Sequence, residues 1–586
     1  MKQNQISKKT AVWNIVIKLL SIAGLIICIA VLFPQVRQMM MNFAEHIAHK
    51  KSSTYQDWLK ALSAYAMGGI CFILFFDYCT LTNSGKALVQ KAKLEIKNCF
   101  SEIDFRSLIK PFLLISVVYL LGIITIIRAN FSYLDDLLRS VSGFRSWYNW
   151  SRYVSDFVSI FIHGDTNLTD ISPVPQLLAV LILSVSSIIL VYVIGNKKIT
   201  AIRLLASVPL GLSPYFLGCI SYKFDAPYMA LSILASIFPF LFYTQKRAFL
   251  FISVISLLIM CMTYQAASGI YLMIVIILCF QDWNSRRTFN KKIFASLGTA
   301  VLAFLVAMII YKFFLMKPAG YYASNSILPL SQIVSGTMKN IKDYLLQINS
   351  DWGIIWKTGV ALVMLFFVIK STTQSAQQKL LSFFVSILAL IVTIVLSYGL
   401  YSFLEAPLYS PRALYGFGVF LAIICVYVVS DFKKIAVVTV LALNWCLFTF
   451  AFSYGNALAD QARYAEFRIT ILLHDLSALY PNRNQEDMTF QIKNSLGYSP
   501  VVKNIAKHNP VIEQLVPTRL AEDDCLQNYY YLVYFNFSQY VKANVEAVTG
   551  GENYIDYNSL NMPVVLDSYY HTIQSDGKRV LIILKH

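Results

Sequence analysis

The chain is built around apolar runs about as long as a bilayer is thick, such as "PFLLISVVYLLGIITII" (111–127) and "LLSFFVSILALIVTIVL" (380–396). A spanning helix needs about 20 mostly apolar residues, and roughly thirteen such segments are predicted. They lie near 11–33, 60–82, 108–127, 175–194, 201–219, 226–243, 247–263, 265–280, 293–314, 354–369, 380–402, 413–430 and 435–453. With 57% hydrophobic residues and 14% charged, too little polar surface remains to cover a soluble core. The first run is too long for the h-region of a signal peptide and reads as a retained span.

Net charge is +18, but the basic residues sit in short connections, as cytoplasmic loops of membrane proteins require. They gather at Lys8 and Lys9; at Lys86, Lys91, Lys93, Lys97 and Arg106; and at Lys197, Lys198, Lys246, Arg247, Arg286, Arg287, Lys291, Lys292, Lys433 and Lys434. An N-terminus inside puts every one of these groups on the cytoplasmic face. Nucleic acid is therefore not an expected partner; the lipid bilayer is. The same alternation puts two long loops outside, 128–174 and 315–353, together with "SYKFDAP" (221–227) and "LYSPRAL" (408–414).

After residue 454 the composition changes. Helical periodicity near 460–487 is followed by "YYYLVYFNF" (529–537) and "KRVLIILKH" (578–586), both predicted as strands. The expected organisation is a transmembrane domain, 1–454, and an extracytoplasmic α/β domain, 455–586. The tyrosines of the second domain either stack on acceptor sugars or form its core, and the domain is expected to cover the outer cavity and help position a polymer. Seven of the ten cysteines lie in apolar runs, with neither CxxC nor Cys/His metal spacing.

No inside loop is long enough for a nucleotide-binding βαβ unit, and neither GxGxxG after a strand nor a Walker A pattern occurs. Enzymatic chemistry would therefore face outward and draw an activated substrate from the lipid. The residues that fit lie just beyond the third span, in "NFSYLDDLLRS" (130–140). Asp135 and Asp136 there are either an interfacial helix cap, paired with Arg139 one turn on, or a catalytic acid pair, since carboxylates near lipid are costly. The loop goes on to Arg145, Arg152, Trp147, Tyr148, Trp150 and Tyr153. Outward arginines run against the positive-inside rule and suit phosphate binding, while the aromatics either belong to an interfacial belt or stack on sugars. Lys223 and Asp225 are site residues or part of a turn, Arg412 a phosphate ligand or a snorkelling residue, and His163 a solvated loop residue.

The spacing Asp135-Asp136-x-x-Arg139, then Gly143, Trp147 and Arg152, then "SPVPQLL" (172–178), resembles the first extracytoplasmic loop of the bacterial type II glucosyltransferases that decorate O-antigen. "GLSPYFLGCISYKFDAPYMALSILASIFPFLF" (211–242) and "MTYQAASGIYL" (262–272) resemble that family too. The resemblance implies a polytopic α-helical membrane protein of GT-C type in the bacterial inner membrane. It implies an undecaprenyl-phosphate-linked sugar as donor, a cell-surface polysaccharide as acceptor, and a donor synthase and flippase in the same pathway. In most GT-C enzymes the acidic loop follows the first span; here it follows the third.

On this reading transfer is inverting, free of metal and cofactor. Asp135 is the base and Asp136 orients it; Arg139, Arg152, Arg412 and Lys223 bind donor phosphate; Trp147, Tyr148, Asp225 and Tyr264 bind sugar or acceptor. Two other functions use the same compartment: a flippase or transporter of lipid-linked oligosaccharide, and a polysaccharide polymerase or ligase.

Overall fold

The computed structural model describes residues 82–585 apart from 102, 288–290, 317–325, 431–432, 482–488, 523–524 and 538–554, and in addition Ile70, Leu74 and Tyr78. The first predicted span, most of the second, and Lys8 and Lys9 lie outside these residues. Among the described residues, eight helices are long and apolar enough to cross a membrane: Phe105–Ala129, Val174–Ile194, Gln265–Asn284, Ile293–Leu315, Ile354–Thr373, Lys379–Leu396, Pro411–Val429 and Lys434–Leu479. This is a membrane protein.

Three predicted spans take other forms. The span predicted at 201–219 is a pair of helices, Ala201–Leu212 and Pro214–Ile220, meeting at 66°. Ser213 sits at the bend in extended conformation and caps the second helix through Phe216 N, and Pro214 supplies a first residue that needs no hydrogen-bonded N–H. The segments predicted at 226–243 and 247–263 form shorter helical stretches, Ala226–Phe242 and Lys246–Cys261. Pro239 falls where the first of these tightens into a 3-10 turn. Periodicity alone does not separate a full span from such a piece, because both are continuously apolar.

The chain divides into two compact units. The first takes in residues to Asp104, Pro239–Leu258 and Ala295–Pro318. Within it, Glu95 on the Lys-rich helix Asn83–Ser101 accepts a hydrogen bond from Ala248 N (2.9 Å) and pairs with Arg247. The second unit comprises Phe105–Phe238, Ile259–Phe294 and Ala319–His586, and it holds everything described below.

The centre of the second unit is the helix Gly416–Val429, buried at every residue. A helix apolar all round fits only where other helices surround it. The helix Phe105–Ala129 packs along Lys434–Leu479. A Cβ on Gly455 would stand 2.3 Å from Thr125 Oγ1, so only glycine allows that approach.

The last span does not stop at the membrane. Lys434–Leu479 runs 46 residues without a break, about 70 Å at 1.5 Å per residue, more than twice a hydrocarbon core of about 30 Å. Its far end presents Ala465, Ile469, Leu472 and Leu476 as one buried stripe. That stripe packs on a four-stranded sheet of order β1-β4-β3-β2: β1 Thr489–Lys493, β2 Val564–Asp567, β3 His571–Ser575 and β4 Arg579–Leu584. β1 runs parallel to β4 and the other pairs are antiparallel. The strand predicted at 578–586 is β4, entered through a turn in which Gly577 has φ +93°.

The strand predicted at 529–537 is instead a helix, Cys525–Tyr534. Its aromatic-rich composition favours a strand, but Tyr531 and Leu532 are buried against the helix Asp136–Ser142, in one cluster with Leu137. Packing overrides β-propensity here, as it commonly does.

Candidate active site

The loops of the second unit meet in two groups, one at each end of the bundle. In the first group Tyr133, Tyr222, Arg412 and Asp135 come together: the Tyr133 and Tyr222 rings lie 4.8 Å apart, and Arg412 Nη1 donates to Tyr222 Oη at 3.1 Å. In the second, Gln281 bonds Ile194 O, Asn284 bonds Ser371 O, and Lys370 bonds Tyr427 O.

The two neighbouring aspartates part company. Asp136 is fully buried; its Oδ2 accepts from Tyr133 N (2.8 Å) and Lys223 N (3.1 Å), while Oδ1 has no partner. Burial pushes its carboxyl up to about 8 against the lowering effect of those two donors. Neither aspartate caps the helix that follows; Asp136 ties the turn before its helix to the 221–225 loop. Asp135 makes no side-chain cap bond, is 44% exposed, and faces Arg412 Nη1 at 4.0 Å. That is looser than a hydrogen-bonded ion pair of about 2.8 Å, so neither charge is used up. Leu134, just before it, is held at φ +40°, a costly conformation for a branched side chain.

Several residues predicted to touch substrate are inside the scaffold instead. Arg139 is 4% exposed, bonds Asp225 Oδ2 at 3.2 Å and lies 3.9 Å over the Trp147 ring. Trp147 is wholly buried, with Nε1 donating to Asp225 Oδ1 and its ring edge-on to Tyr228. Arg139, Asp225 and Trp147 thus engage one another inside the scaffold, with Arg139 Nε left without a hydrogen-bond partner. Arg139 also does not pair with either aspartate of its own turn; its fork reaches across to the 221–225 loop.

Lys223 is likewise 4% exposed and bonds Asp170 at 2.9 Å. Burial works against ionisation of Asp170, but hydrogen bonds from Ser172 and Lys223 outweigh it and hold the carboxyl below the usual range. His163, expected in solvent, is half-buried and stacks on Phe224 at 5.6 Å, and burial keeps its imidazole below its ordinary value. Gly143, at φ +68°, closes the helix where a Cβ would strike Asn167. The signature from Asp136 to Trp147 thus builds a rigid mount on which Asp135 is displayed.

The cations left near the surface are Arg412 and Arg152. Arg152 stands 4.5 Å over the Tyr264 ring, and its Nε has no hydrogen-bond partner. Tyr264, expected to bind sugar or acceptor, is 2% exposed and stacked on Tyr415, so it supports Arg152 rather than offering a free face. The short helix Gln265–Ala267 just after Tyr264 contacts Gly399–Phe403, which carries Tyr401, so Tyr401 lies near the same site. Tyr148 is half exposed on the loop.

Sequence reasoning did not single out Tyr222, Tyr401 or Asp170. Tyr222 lies in the quoted "SYKFDAP" stretch, but one tyrosine among 36 carries no signal.

The fold and this cluster define a polytopic membrane protein that presents one partly exposed carboxylate and two guanidinium groups where several loops converge. Residues 124–423, just over half of the chain, match the family described as Glucosyl transferase GtrII, and the chain belongs to that family. It is a glycosyltransferase, which sets aside the flippase or transporter reading. The chain is also 24% identical over 451 residues to an uncharacterised 55.3 kDa protein in the gtrB 5′ region of Salmonella phage P22, covering 71% of this chain and 88% of that protein. No solved structure matches it.

Proposed function

We propose that this enzyme, of GT-C type, transfers a single glucose from an undecaprenyl-phosphate carrier to a surface polysaccharide such as O-antigen, on the extracytoplasmic side of the bacterial inner membrane. The observation that carries the reading is the pairing of a solvent-reachable Asp135 with Arg412 at 4.0 Å, inside the region matching the glucosyltransferase family. The basic loops of the opposite end, at 197–203, 281–287 and 433–434, support the orientation.

Asp135 takes the proton of the acceptor hydroxyl as its oxygen bonds to the anomeric carbon. The bond from that carbon to the carrier phosphate breaks on the opposite face, and the electron pair leaves with the phosphate, so transfer inverts. The donor phosphodiester carries one negative charge and the released phosphate monoester up to two. Arg412 and Arg152 meet that added charge, the setting in which fixed cations help most. Positioned base catalysis is worth about 10²- to 10⁴-fold. Asp135→Asn therefore loses glucose transfer from purified polyprenyl-phosphate glucose by about that factor, whereas Asp136→Asn, which can keep both backbone hydrogen bonds, retains most activity. Full activity in Asp135→Asn defeats the mechanism.

A further inference from the structure

The acidic loop is held from outside the region that matches the family. Tyr133 Oη donates to Leu515 O at 2.8 Å, and Tyr454 Oη donates to the same carbonyl at 3.2 Å. Arg519 donates to Ser132 O and lies 4.8 Å over Phe131 and 5.2 Å over Tyr531. Gln514 Nε2 donates to Asp351 Oδ1 at 2.6 Å, and Asp351 Oδ2 accepts from Tyr215 at 2.8 Å, so the segment is fastened to the bundle on its other flank. Leu515 packs where Gly218 leaves room; a Cβ there would sit 3.0 Å from its side chain. Leu137, beside Asp136, is buried in the hydrophobic cluster of the C-terminal domain.

We infer that residues 511–519 are a clamp, and that the C-terminal domain acts in catalysis by fixing the position of Asp135. The mechanical path is short: Leu515 O holds Tyr133, the Tyr133 ring packs on Tyr222, and Tyr222 holds Arg412 opposite Asp135. The backbone N–H of Tyr133 also bonds the Asp136 carboxylate, so a shift of Tyr133 moves both aspartates. Tyr133 and Arg519 are positioning residues, not catalytic ones. Geometry of this kind matters because a misplacement of about 1 Å can cost 10²-fold in rate.

This inference rests on the proposed transfer reaction. The test is steady-state transfer from polyprenyl-phosphate glucose by detergent-solubilised full-length Tyr133→Phe, Arg519→Ala, Arg519→Lys and Gln514→Ala, with melting temperatures recorded alongside. Tyr133→Phe removes one hydroxyl and keeps the ring, so it is the variant least exposed to misfolding. The expected result is a kcat about 10-fold lower in Tyr133→Phe and Arg519→Ala, KM for both substrates within about 2-fold, near-native melting in Tyr133→Phe, and partial recovery in Arg519→Lys. Unchanged kcat in Tyr133→Phe and Gln514→Ala overturns the clamp, and so does a rise in acceptor KM at constant kcat. If wild type and Asp135→Asn transfer equally, the reaction reading fails. If only Asp135→Asn is impaired, the clamp alone fails.

Discussion

The two ends of the bundle both hold cations among packed helices, but they engage them differently. At one end Arg203 donates to Gly195 O (2.7 Å) and Lys198 O (2.9 Å), and Lys370 donates to Tyr427 O (2.6 Å) and Ser430 O. Both side chains are about 5% exposed and bond carbonyls at helix ends, where carbonyls lack intrahelical partners. At the other end Arg412 is 34% exposed, gives one hydrogen bond to Tyr222 and stands 4.0 Å from Asp135. The first pair closes helix ends; on the proposed mechanism, the second keeps donors for a substrate. Burial and backbone partners, rather than charge or proximity to the membrane, separate the structural cation from the functional one.

If that distinction holds, the largest effect on turnover among these cations belongs to Arg412. Arg412→Ala lowers kcat by about 10²-fold with little change in melting temperature, and Arg412→Lys recovers part of it; equal rates in Arg412→Ala and wild type break the comparison. Arg139→Ala has the opposite signature. It leaves Asp225 buried without its ion pair, a loss of about 3–5 kcal/mol, visible as poor yield and low melting temperature with near-normal transfer per folded molecule. Lys370→Met, at the far end, costs about 1–3 kcal/mol through unpaired carbonyls and leaves kcat unchanged; a lowered kcat in well-folded protein would place function at the wrong end.

The smallest effect is a slope. The Asp136 carboxyl is raised from 3.8 to about 8 in the fold. Its contribution to stability is therefore fully present below about pH 4 and is lost as pH rises to about 8, because between those values the folded state holds a proton that the unfolded state has released. Wild-type melting temperature should fall more than that of Asp136→Asn between pH 6 and pH 8.5. Parallel curves would show that Asp136 is ionised in the fold.

The acidic loop illustrates how far a linear reading reaches. Two adjacent aspartates are chemically identical in sequence, yet successive helical positions point about 100° apart. Which one faces solvent depends on what covers each face, here Lys223 N and the 221–225 loop on the side of Asp136. Arginine after arginine looked equally suited to phosphate, but Asp225, more than 80 residues along the chain, claims Arg139, and Trp147 lies under its guanidinium. The 529–537 segment read as a strand for the same reason: its partner, Leu137, is nearly 400 residues distant.

By itself the sequence determined that the chain crosses a membrane repeatedly and that an acid-and-arginine loop of glucosyltransferase character follows one span. Those properties are written in runs, periods and short spacings, which depend on neighbours in the chain. Only the tertiary structure decided that Asp135 is displayed and Asp136 enclosed, that Arg412 and Arg152 stand nearer the surface than Arg139 and Lys223, and that Leu515 holds the loop. The Leu515 contact is made by a backbone carbonyl, a group every residue possesses, so no choice of side chain could have announced it.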